Sequence, residues 1–201
     1  MRIHKILVPT DFSDCSKAAL EQALTLAAQH EAKLCLLHVV ALHGEDPNHP
    51  DSHFPEMEAI FKSLETRASD SMDELVSKLD FSDVTVDHEW IRAIAPGPAI
   101  VEYAAQKEID LAVLGTHGRR GIRHWLLGSV TEEVIRTIDC PVLTVGRGDS
   151  LPKSFRRILV PYDFSDDSDA ALAAAIDEQL DRRHADQLVW PRRQLRPAGL
   201  F

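Results

Sequence analysis

No apolar run in the 201-residue chain approaches the roughly 20 residues that cross a bilayer, so no membrane span is expected. The stretch from Met1 to Phe12 is a short strand-like run ending in Pro-Thr-Asp, without the architecture of a secretory signal. Cysteine is scarce: Cys15, Cys35 and Cys140 are odd in number and form no CxxC pair. Buried, reduced thiols are therefore expected rather than disulfides or a zinc site, which points to the cytoplasm. Positive charge is also short, with 22 Lys and Arg against 32 Asp and Glu and a net charge of -10. A dedicated nucleic-acid binder would show a basic face, so nucleic acid is not the expected partner. The deficit is uneven. Residues 182–201 hold five Arg against one Asp, leaving a tail near +4 on a remainder near -14.

The most informative presence is a long repeat. Lys5-Ile-Leu-Val-Pro-Thr-Asp-Phe-Ser-Asp-Cys-Ser-Lys-Ala-Ala-Leu20 returns as Arg157-Ile-Leu-Val-Pro-Tyr-Asp-Phe-Ser-Asp-Asp-Ser-Asp-Ala-Ala-Leu172, identical at twelve of sixteen positions and offset by 152. That period is a whole domain rather than a solenoid unit. A domain over 1–146, a linker over 147–154 containing Gly148, Ser150 and Pro152, and an incomplete second copy over 155–201 follow.

Within the first copy, apolar runs alternate with helical periodicity. Ile3–Val8 and Lys33–Val40 read as strands buried on both faces. Val84, Val86 and Trp90 mark a third strand, Leu111–Leu114 a fourth and Pro141–Val145 a fifth. Helices fall between them, the first capped by Ser13 or Asp14, the second over Glu56–Leu79, the third with Pro98 in its first turn, the last opening at Gly128 or Ser129. This βαβαβαβαβ order predicts an α/β fold with a mostly parallel five-stranded sheet and helices on both faces. Ligands of such folds bind beyond the carboxyl ends of strands, here Pro9–Asp11, Val39–His43 and Gly115–Val130.

Of these, the loop Leu114-Gly-Thr-His-Gly-Arg-Arg-Gly-Ile-Arg-His-Trp-Leu-Leu-Gly-Ser-Val-Thr131 carries the most chemistry. Its glycines let the backbone approach a ligand closely. Gly128 and Ser129 begin a helix whose free N–H groups favour an anion. Ser129 and Thr131 add hydroxyls, and Arg119, Arg120 and Arg123 add cations in an otherwise acidic domain. A polyphosphate would be satisfied here without a Walker lysine. The plainer alternative is a tight strand-to-helix connection with surface arginines. Asp11 suits ribose hydroxyls or Mg²⁺ held through water, and equally a carboxylate favouring a helix N-terminus. His117 can donate to a phosphate or act in proton transfer, or simply pack. His43, His49 and His53, with Asp46 and Asp51, crowd one loop, but their spacing fixes no metal geometry and a solvated loop is expected.

Residues 1–146 resemble the universal stress protein family in three features: Ile-Leu-Val-Pro-Thr-Asp-Phe-Ser at the start, Leu36-Leu-His-Val39, and the spacing Gly115-x-x-Gly118-(nine residues)-Gly128-Ser129. The last is the ATP-binding signature of the nucleotide-binding branch. The resemblance implies a Rossmann-like sheet of the adenine nucleotide alpha hydrolase type with ATP or another adenine nucleotide in its crevice. It assigns Pro9, Thr10, Asp11 and Val39 to adenine and ribose, with Leu114 lining the base or ribose. It assigns Gly115, His117, Gly118, Gly128, Ser129, Val130 and Thr131 to the phosphates. It also implies a tandem pseudo-dimer, or a homodimer made by antiparallel pairing of the strand Val142–Val145; an edge covered by the linker or the second copy is the alternative.

The expected function is nucleotide-dependent stress response or signalling through unidentified protein partners. The rival readings are a slow ATPase or phosphoryl- or adenylyl-transfer enzyme, and a scaffold that binds no nucleotide. No clear general base is evident, so no catalytic residue is assigned. In the second copy a strand is expected at Ile158–Val160, a helix at Asp166–Gln179 and the start of another strand near His184–Trp190, after which the match to the first copy ends.

Overall fold

A computed structural model describes residues 3–41, 55–79, 84–116, 127–146, 159–180 and 188–189. The chain runs β1 (Lys5–Pro9), α1 (Asp14–His30), β2 (Lys33–Ala41), α2 (Pro55–Ser77), β3 (Val86–Ala93), α3 (Pro96–Lys107), β4 (Leu111–Gly115), α4 (Ser129–Thr137), β5 (Val142–Val145), α5 (Asp166–Leu180) and β6 (Leu188–Val189). The strands form one sheet in the order β3-β2-β1-β4-β5-β6. The five strands of the first copy are mutually parallel, as expected, while β6 joins β5 antiparallel.

The unbroken apolar runs have a direct explanation. In a strand successive side chains face opposite ways, so a sheet covered on both sides needs every position apolar. Ile6 and Val8 of β1, Leu34 and Leu36 of β2, and Leu111 and Val113 of β4 pack with Ala19, Leu20 and Ala23 of α1 and Met72 and Leu75 of α2. Leu7, Cys35, Leu37, Ala112 and Leu114 face the other way, against Ile100, Tyr103 and Ala104 of α3 and Val134 of α4. Cys15 and Cys35 are buried and Cys140 half-buried, and all three thiols are free.

The second copy departs from expectation. Its helix forms at Asp166–Leu180, but Leu159 and Val160 lie in no strand, and Leu159 is 90% exposed. The later strand does form, at Leu188–Val189, and it joins the first copy's sheet. The five-stranded parallel sheet is thus as expected, and among the described residues β6 adds a sixth, antiparallel strand at its edge. The loop holding His43, His49 and His53 and the linker 147–154 lie outside the described residues.

Candidate functional site

From β1 the chain moves outward to β2 and β3, then returns to β4 and β5 on the other side. The strand order thus reverses between β1 and β4, the place where such a sheet opens a crevice at its carboxyl edge. Both segments singled out from the sequence leave the sheet here, one on each side.

The β1 side is a tightly bonded turn. The Thr10 N–H donates to the Leu37 carbonyl at 2.8 Å, carrying the β1–β2 ladder one residue past the strand. The buried Thr10 hydroxyl accepts from the Phe12 N–H at 3.0 Å and donates to Ser16 Oγ at 3.1 Å. Asp11 Oδ1 accepts from the Ser13 N–H at 3.1 Å. Phe12 takes φ 64°, left-handed backbone that a non-glycine residue adopts only when its surroundings insist. Ser13, not Asp14, is the N-cap, and its Oγ accepts from the Ser16 N–H at 3.3 Å. The start of α1 is thus closed by its own turn.

His38 braces this turn and was not singled out as a site residue. Its Nδ1 lies 2.7 Å from the Thr10 carbonyl, which can only accept, so Nδ1 carries the proton. Its ring stands 4.5 Å from that of Phe12, tilted by 39°. The signal for it in the sequence is its place at the end of the Leu36-Leu-His-Val39 run.

On the β4 side the loop leaves and returns through a narrow neck. The Thr116 N–H donates to the Val145 carbonyl at 2.9 Å, and the Gly128 N–H donates to the Thr116 carbonyl at 2.8 Å. The Thr131 hydroxyl donates to the Gly115 carbonyl at 2.8 Å. That hydroxyl therefore ties α4 to β4 rather than facing an anion, as the sequence had suggested. The two sides touch at Gly115, where a Cβ would fall 2.8 Å from the Cys15 carbonyl carbon. Only glycine lets β4 pass this close to the first turn of α1.

The helix ends at this edge of the sheet differ. Gly128 caps α4 with φ -60° and ψ 145° and offers no side chain to its first-turn N–H groups. Ser129 beside it is exposed and Val130 half-buried. At α3 the cap is Ala95, which offers no side-chain hydrogen bond either, and a Cβ on Gly97 would fall 2.1 Å from Glu133 Oε2. Of the α1, α3 and α4 starts, only that of α1 is capped by a side chain; the start of α4 is capped by glycine and has none. It adjoins the switch point, where its positive dipole end favours an anion.

Other expected site residues are placed as follows. Pro9 ends β1 and is half-buried. Val39 and Leu114 lie on the α3–α4 side of the sheet, Val39 half-buried and Leu114 3% exposed. His117, Gly118 and Arg119 lie outside the described residues, as do Arg120 and Arg123. Among the described residues no three His, Cys, Asp or Glu side chains gather as a metal site. None of the described helices is long and apolar enough to cross a membrane.

The same architecture is found elsewhere. The model of the universal stress protein family matches residues 2–146. Universal stress protein MJ0531 of Methanocaldococcus jannaschii is 33% identical over 144 residues, covering 70% of this chain and 81% of that protein. The structure of universal stress protein UspA from Lactobacillus plantarum superposes with a TM-score of 0.62 at 30% identity, covering 72% of this chain and 99% of the other. An Arabidopsis thaliana protein of the same family, solved with AMP bound, shares the fold at 20% identity and a TM-score of 0.51, over 73% of this chain and 93% of its own. With a five-stranded parallel sheet, its switch point and a family match that all fall within residues 2–146, the chain belongs to the universal stress protein family.

Proposed function

We propose that this chain binds an adenine nucleotide, ATP foremost, in the crevice between β1 and β4, and that the bound nucleotide alters conformation or assembly in a cytoplasmic stress response. The observation that carries this reading is the pairing of a closed α1 start with an open, glycine-capped α4 start at the switch point. In this reading an anion sits at the glycine-capped α4 start, beside the switch point. Ser129 and the N–H groups of Val130 and Thr131 would take phosphate oxygens, with His117, Gly118 and Arg119 completing the loop. Pro9, Thr10, Asp11, Val39 and Leu114 would line the nucleoside, and Mg²⁺ would be held by the phosphates and, through water, by Asp11. The AMP-bound relative supports an adenine nucleotide as the class of ligand.

Residues 1–146 form the binding domain in this reading, 147–154 a linker, and 155–201 an incomplete second copy without a glycine loop of its own. Self-pairing of two chains along Val142–Val145 requires Leu188–Val189 to leave that edge.

The test is calorimetric titration of the full chain with ATP and Mg²⁺, repeated on Gly115→Val and Gly128→Val. Heat is expected from the wild type, with affinity at least about tenfold weaker, roughly 1.4 kcal/mol, in each variant that still melts cooperatively. No heat from the wild type would leave the scaffold reading. Turnover above about 1 s⁻¹, an ordinary enzyme rate, would replace binding with catalysis.

A further inference from the structure

β5 is the last strand of the first copy's sheet, and its sequence Val-Leu-Thr-Val holds no charge and no proline. All four residues are buried. Its inner side is paired with β4 through Ala112↔Val142 to Gly115↔Val145. The outer side of such a strand is a row of N–H and C=O groups ready to accept another strand, because nothing in it discourages pairing. In this chain that side is filled in cis: Leu188 and Val189 lie antiparallel to it, in the register Val142↔Val189 and Leu143↔Leu188.

The origin of the capping strand is informative. At the offset of 152, Leu188 and Val189 stand where Leu36 and Leu37 stand in β2. In the first copy those residues pair parallel with β1, Val8↔Leu36 and Pro9↔Leu37. Of the second copy's equivalent of β1, the described residues Leu159 and Val160 lie in no strand, and Leu159 is 90% exposed. Its second strand has thus been diverted from its own sheet to the first copy's edge, with the opposite polarity. Pro191 follows two residues later, cannot donate to a ladder, and limits how far the added strand can extend.

We propose that Leu188–Val189 is a built-in edge cap that keeps β5 from pairing with β5 of a second copy, so that this chain stays monomeric until the cap is displaced. A second copy and the cap compete for the same edge of β5, where the cap holds Val142 and Leu143, and both present a strand antiparallel to it. This competition does not depend on whether nucleotide binds.

The test measures mass in solution by light scattering at rising concentration. The wild type is expected at its chain mass of 22.4 kDa. The full-length double variant Leu188→Pro, Val189→Pro is expected to move to twice that mass with an unchanged far-UV spectrum. A wild type already at twice the chain mass, or a folded variant that stays at the chain mass, would overturn the proposal. A second full-length variant, Val142→Cys with Val189→Cys, guards against misfolding of the first. Mild oxidation should join the two introduced thiols within one chain, located by peptide mass. A link between two chains, or no link between these positions, would overturn it.

Discussion

At the scale of single residues, the repeat provides an internal control. Leu7 and Leu159 occupy the same place in the same motif, yet Leu7 is fully buried and Leu159 is 90% exposed. Leu7→Ala should therefore cost about 2–5 kcal/mol in chemical denaturation, whereas Leu159→Ala should stay within about 0.5 kcal/mol. Equal losses would mean that the second copy has a core of its own. The thiols follow the same logic of burial. Cys15 and Cys35 are buried, and burial pushes the half-buried Cys140 up to about 11. A thiolate-seeking reagent at neutral pH should leave all three unmodified in the native protein and label all three in denaturant. Rapid native labelling of Cys140 would show that its apolar setting opens readily.

Among the elements, α1 and α5 share a cap but differ in what they join. Ser13 accepts the Ser16 N–H at 3.3 Å and Ser165 accepts the Ser168 N–H at 3.1 Å. The α1 face carrying Ala19, Leu20 and Ala23 lies fully buried on the sheet, while Phe164 beside α5 is 88% exposed. Ser13→Ala should lower global stability by about 1 kcal/mol, and Ser165→Ala should leave the main transition in place, as read by thermal melting. On the opposite face, Glu89 of β3 accepts from the Tyr103 hydroxyl and pairs with Lys107 at 3.2 Å, joining β3 to α3. The Tyr103 hydrogen bond, helped by Lys107 and opposed by burial, holds Glu89 below the ordinary carboxylate value of 4.5. A lowered value means that the folded state favours the charged form. The stabilisation is present above 4.5 and is lost as pH falls through the lower folded value. Glu89→Gln should lose about 0.5–1 kcal/mol at pH 7, a modest figure because the side chain is 42% exposed, and its stability should fall less steeply in acid. A variant as acid-sensitive as the wild type would remove Glu89 from that account.

For the whole molecule, charge and topology set the terms. The net charge of -10 combines a strongly acidic body with a tail near +4 over residues 182–201. Self-repulsion in the body should be relieved by salt, so moving from low ionic strength to about 0.15 M should raise stability by roughly 1 kcal/mol, about 2–4 °C in melting temperature. A fall in melting temperature over that range would instead assign stability to attraction between body and tail. The fold of residues 3–146 was legible because doubly covered parallel strands demand unbroken apolar runs, as at Ile6–Val8 and Leu34–Leu37, and because the intervening helices show their stripes. The site was legible in part. The glycines and Asp11 announced themselves, but His38 acts only because β2 carries it beside Thr10, and the Thr131 hydroxyl is taken only because α4 returns over Gly115. Sequence alone determined the turn after β1: Phe12 and Phe164 both take φ 64°, and Ser13 and Ser165 both donate to the preceding Asp at 3.1 Å. Those bonds close within a few residues, so the same words fold the same way twice. Tertiary structure alone decided that Leu7 is buried while Leu159 is exposed, and where Leu188–Val189 went. Burial of β1 rests on β2 and β4, supplied from positions 33–41 and 111–115, which lie outside the repeated segment itself.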